Sequence, residues 1–95
     1  MIRHICMFTL KDDKAANAAE FCRRAETLRP IATVRAFEVV TNAPGTPGNN
    51  YDVSLIIDFD DVEGLDFYRV SPEHVAFGKF VGTIRIDRAC IDYEF

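Results

Sequence analysis

The first strand constrains the fold more than any other segment. Residues Ile2 to Leu10 alternate as a β-strand, with Ile2, His4, Cys6, Phe8 and Leu10 on one face and Arg3, Ile5, Met7 and Thr9 on the other. Both faces carry large apolar side chains, so both need a cover. Helices from the same chain can cover one face of a sheet. The face bearing Ile5 and Met7 then needs another, and a second copy of the chain is the economical supplier.

The remaining residues supply the cover for the first face. Lys11-Asp12-Asp13-Lys14 is a polar turn and a helix start. A helix is expected over residues 15 to 28, where Ala18, Phe21, Cys22, Ala25 and Leu28 recur as one apolar stripe, and Pro30 stops it. Residues 34 to 41 read as a second strand. Residues 42 to 50 hold Pro44, Gly45, Pro47 and Gly48 and form a loop. Residues 51 to 59 read as a third strand, with Tyr51, Val53, Leu55, Ile57 and Phe59 on one face and Asp52, Ser54, Ile56 and Asp58 on the other. Asp60 with Glu63 three residues on has the capping-box spacing, which predicts a short helix to about Val70. Ser71 and Pro72 start another helix, with Ser71 as its cap and Pro72 in its first position, running to about Gly82. Residues 84 to 95 form the last strand. Its apolar parity switches between Ile84/Ile86 and Ala89/Ile91/Tyr93/Phe95, which predicts a bulge near Arg88.

The order βαββααβ in 95 residues predicts one α+β domain over residues 1–95. Its four strands would make one antiparallel sheet with the helices on a single face, the ferredoxin-like arrangement. Two such subunits packed sheet to sheet would form a homodimeric α+β barrel and cover the second face of the first strand.

Charge and composition exclude several classes. A net charge of −4, with no run of basic residues, argues against nucleic acid as a partner. No stretch is long and apolar enough for a membrane span, and the N-terminus has no signal-peptide pattern, so a cytoplasmic location is expected. The three cysteines, Cys6, Cys22 and Cys90, are odd in number and widely spaced in apolar stretches, and read as buried reduced thiols. Neither a Cys-x-x-Cys pair nor a nearby His spacing is present, so no metal is expected. Asp58, Asp60 and Asp61 read as a strand and capping set. The Pro44–Gly48 loop lacks the spacing of a phosphate-binding loop. No cofactor is expected.

His74 is the leading candidate for chemistry. It lies at about the third residue of its helix, where the helix dipole disfavours added positive charge and favours the neutral imidazole a general base needs. Tyr68 lies six residues earlier. One continuous helix would put the two on different faces, and the Ser71-Pro72 break lets both turn into one cavity. His4, on the helix-facing side of the first strand, is the third polar candidate. Each of the three read alone is as readily a packed and hydrogen-bonded side chain. Together they would converge in a pocket lined by Cys6, Phe8, Phe21, Leu55, Phe77 and Ile86, suited to a small aromatic or polyketide-like ligand.

The start Ile2-Arg3-His4-Ile5-Cys6-Met7-Phe8, the stretch Tyr51-Asp52-Val53-Ser54-Leu55-Ile56-Ile57-Asp58-Phe59, the segment Tyr68-Arg69-Val70-Ser71-Pro72-Glu73-His74-Val75 and the ending Ile91-Asp92-Tyr93 together resemble the stress-responsive dimeric A/B-barrel (Dabb) domain over essentially the whole chain. The resemblance implies a ferredoxin-like subunit in a dimeric barrel. A characterised branch, the olivetolic acid cyclases of plants, closes a linear polyketide by aldol condensation without a cofactor. The catalytic Tyr and His of that branch correspond to Tyr68 and His74, and its first-strand pocket His to His4. The chain departs from that branch at Ser71, where the cyclases have His, and at Cys22 and Arg24 in the first helix. The resemblance implies a cofactor-independent cyclase-like lyase with a His/Tyr proton-transfer pair. The alternatives are a non-enzymatic, stress-related dimer that binds a small apolar ligand, and a cofactor-free monooxygenase of the related barrel type.

Overall fold

A computed structural model describes all 95 residues. The strands are β1 (Ile2–Leu10), β2 (Ala36–Thr41), β3 (Val53–Phe59) and β4 (Arg85–Glu94). The helices are α1 (Lys14–Ala25), which runs on into a 3₁₀ turn over Glu26–Leu28, α2 (Val62–Val70) and α3 (Pro72–Ile84). The strands form one antiparallel sheet in the order β2-β3-β1-β4, the ferredoxin-like α+β topology. β1 and β3 are the two inner strands, each paired on both edges.

The alternation of β1 puts Ile2, His4, Cys6, Phe8 and Leu10 beneath the helices, all buried. Phe21, Ala25 and Leu28 of the α1 stripe close over them and are fully buried, as are Ile57 and Phe59 of β3. Burying a side chain such as Phe21 is worth roughly 1.5–3 kcal/mol, so this layer carries much of the fold's stability. Asp13 caps α1, accepting from the backbone N–H groups of Ala15 and Ala16.

The opposite face of the sheet is apolar across three strands. The register sets Ile56, Ile5 and Ile91 side by side on β3, β1 and β4, and beside them Ser54, Met7 and Ala89. Ile91 is 59% exposed, and no helix lies on this side. At one end of the face, Arg3 donates from Nε and Nη2 to the two carboxylate oxygens of Asp58, at 2.8 and 3.0 Å, and stacks over Phe95. Asp58 therefore faces away from the helices yet is buried under its partner, and the Arg3 guanidinium holds its carboxyl below the ordinary carboxylate range.

Several local expectations need correction. The cap of α2 is Asp61, whose side chain accepts from the Gly64 N–H at 2.8 Å, while Asp60 pairs with Arg35. Ser71 occupies the position before α3 but makes no side-chain cap; its hydroxyl donates back to the Phe67 carbonyl at 2.7 Å. α3 runs to Ile84, and the bulge lies earlier than Arg88. Thr9 pairs with Asp87 and Leu10 with Arg85, so Ile86 is the extra residue. The bulge turns Ile86 outward, to 64% exposure.

Candidate functional site

A cavity of about 240 Å³ opens between the helix-facing side of β1 and β4 and the α2–α3 junction. The junction is built by Ser71, whose extended backbone (φ −64°, ψ 142°) ends one helix and starts the next. Proline at 72 enforces this, because its ring disfavours helical geometry in the residue before it. The turn brings Tyr68, in the last turn of α2, against His74, in the first turn of α3. Their ring centroids lie 4.6 Å apart at 52°.

His74 is half-buried in the cavity wall. Its Nδ1–H donates to the Arg69 carbonyl at 2.9 Å. A carbonyl can only accept, so in the neutral ring Nε2 holds the lone pair. Burial pushes the imidazole below its ordinary value. The Arg69 carbonyl opposes that shift, and the positive charges of Arg69 and Arg88 reinforce it. The neutral form is thus favoured, chiefly by burial rather than by the helix start.

The Tyr68 ring is buried against Phe59 and, edge-on, His4, at centroid distances of 5.1 and 6.1 Å. Burial pushes its hydroxyl well above the ordinary tyrosine range. That hydroxyl makes no hydrogen bond within the chain, and no fully buried polar side-chain atom is left unpaired, so it keeps contact with the cavity. It is a protonated donor without a protein acceptor.

His4 is buried on β1, and its Nδ1 lies 2.5 Å from Asp92 Oδ1 on β4. Cys6, directly opposite Cys90 across the same strand pair, has its Cα 4.2 Å from that of Cys90, and the two sulfurs are bonded as a disulfide. This corrects the expectation of buried reduced thiols: only Cys22 is free, and it is half-buried, while Cys90 is exposed.

His4, Cys6, Phe8, Leu55, Tyr68, His74 and Phe77 all line the cavity. Phe21 and Ile86 do not. Phe21 is fully buried behind the lining, against Phe8 and Phe77, and the bulge carries Ile86 out to solvent. Sequence reasoning missed Arg88, Cys90 and Asp92, which alternate along β4 on the cavity side opposite Phe8, Cys6 and His4. Their shared parity was the available signal, masked by the apolar residues between them. Arg69 and Arg85 complete a cationic rim, where Arg69 has a carboxylate neighbour in Asp66 at 3.8 Å. The arrangement can move a proton at His74 Nε2, donate a hydrogen bond from Tyr68 and attract an anionic group.

The family model for the stress responsive A/B barrel domain matches residues 2–95. A dimeric protein of unknown function with a ferredoxin-like fold from Bacteroides fragilis is 36% identical, with a TM-score of 0.86 over 99% of this chain and 95% of that one. A Dabb family protein from Mesorhizobium loti is 28% identical, with a TM-score of 0.84 over the same shares. An antibiotic biosynthesis monooxygenase, 14% identical, superposes with a TM-score of 0.81 over 100% of this chain and 98% of that one, a likeness of fold alone. No curated protein matches the sequence. No helix is long and apolar enough to cross a membrane.

Proposed function

The chain belongs to the stress-responsive A/B barrel domain family, and from that premise we propose that it is a cofactor-independent lyase of the cyclase type, acting on a small carbonyl compound. His74 is the general base and removes a proton α to a carbonyl through Nε2. Tyr68 donates to the oxygen on which the enolate charge develops. His4, held by Asp92, positions the substrate. The observation that carries the reading is the apposition of Tyr68 and His74 over one cavity, with the base's other nitrogen tied to the Arg69 carbonyl.

The aromatic lining and the arginine rim favour a small substrate with an apolar body and an acidic group. The working form is a homodimer, which covers the Ile5, Ile56 and Ile91 face; the Bacteroides relative is described as dimeric.

Titration of the chain with a small aromatic β-keto acid, followed by NMR, tests the reading. Shifts at Tyr68, His74 and His4 support it. Shifts confined to the 42–50 loop, with those three silent, contradict it. A monooxygenase reading has the fold likeness alone in its favour, and it requires oxygen uptake when an aromatic substrate is added.

A further inference from the structure

We infer that His4, Cys6 and Cys90 form a redox-gated site for a thiophilic cation of the zinc class. One ring nitrogen of His4 and the two sulfurs lie within 4.8 Å of one another. Strand register produces this cluster: His4 and Cys6 are two apart on the same face of β1, and Cys90 is the direct partner of Cys6 on β4. Tetrahedral zinc, with bonds of about 2.0–2.3 Å, holds its ligand atoms roughly 3.3–3.8 Å apart. Side-chain rotation spans the difference once the sulfurs separate.

Two thiolates and an imidazole suit zinc or cuprous ions and not the hard, oxygen-seeking magnesium or calcium. The His4–Asp92 contact supplies the second requirement. An ionised carboxylate can only accept, so Nδ1 carries the proton and Nε2 has the lone pair, the carboxylate–histidine–metal relay that fixes a ligand's tautomer. Three protein ligands leave a fourth position for water or a ligand atom.

The disulfide is the closed state of the same site. Its formation takes two electrons and two protons from the pair: a small-molecule disulfide is reduced to two thiols as the Cys6–Cys90 bond forms. Both thiolate ligands are then lost. Cys90 is exposed, so exchange can reach it. The inference does not rest on the proton-transfer reading, because metal binding is measured in the absence of any substrate.

The test uses the full chain, reduced with a phosphine under anaerobic conditions and titrated with Co²⁺. The expected result is one ion per chain with thiolate-to-cobalt charge-transfer absorption, displacement by Zn²⁺ and proton release on binding. Cys90→Ser, compared with equally reduced wild type so that loss of the disulfide does not enter and with its fold checked by circular dichroism, is expected to bind at least tenfold more weakly with reduced charge-transfer intensity. Asp92→Asn is expected to weaken binding about 10–100-fold. Protein pre-treated with oxidised glutathione is expected not to bind. A reduced chain that shows no thiolate–cobalt band, or binding unchanged in Cys90→Ser or after oxidation, overturns the inference.

Discussion

The rings of Tyr68 and His74 sit 4.6 Å apart across a helix break, with the Tyr68 hydroxyl free of any partner in the chain and the His74 Nδ1–H bound to the Arg69 carbonyl. A tyrosine placed only for packing has little use for its hydroxyl here. Tyr68→Phe keeps the buried ring, so unfolding stability should change by less than about 1 kcal/mol. Turnover, if the hydroxyl stabilises an enolate oxygen, should fall about 10²–10³-fold. Urea denaturation and steady-state kinetics on the same variant separate the two effects.

The depressed pKa of His74 has a pH signature. Below the unfolded histidine value of about 6.5, the unfolded chain takes up a proton that the folded chain resists. Stability from this group is therefore fully present above about 6.5 and is lost as pH falls through the folded value. The acid limb of kcat/KM should lie below the ordinary histidine range, and His74→Gln should flatten this part of the stability profile. An NMR titration of the ring that gives an ordinary or raised value would contradict the assignment.

The sheet face away from the helices predicts assembly. Ile5→Asp sets a charge in the middle of the apolar row formed with Ile56 and Ile91, and Ile91→Lys sets one at its end on the edge strand. Each should turn a dimer into a monomer by light scattering at micromolar concentration, with helix content retained. A wild-type chain that is already monomeric there would sink the dimeric reading.

Reduction should cost stability without unfolding the chain at room temperature. The Cys6–Cys90 bridge joins residues 84 apart in sequence. A cross-link over so long a loop contributes up to roughly 4.5 kcal/mol when it acts mainly by restricting the unfolded chain. Thermal unfolding with and without a phosphine reductant measures it, and Cys22→Ser should leave the difference intact.

How much of this was legible in the sequence depended on the range of the interaction. The alternation of β1 and the Phe21-Ala25-Leu28 stripe are local periodicities, and both elements form where the pattern puts them. The Ser71-Pro72 break is equally local, and it brings Tyr68 and His74 together. Adjacent Asp60 and Asp61 could not be told apart as caps, because that choice turns on Arg35 pairing with one of them from another element. The bulge at Ile86 shifts the parity of β4 against β1, and no local signal marks which residue is squeezed out. Asp92 beside His4, and Cys90 beside Cys6, are products of strand register over more than 80 residues. A spacing rule for metal ligands cannot see such neighbours.

The most direct test of the central claim is deuterium exchange at the α-carbon of a small β-keto acid in D₂O, followed by proton NMR. Wild-type protein should accelerate exchange over buffer, and His74→Gln should remove about 10²–10⁴-fold of that acceleration. Exchange that the wild type does not accelerate, or that His74→Gln accelerates equally, would contradict the account.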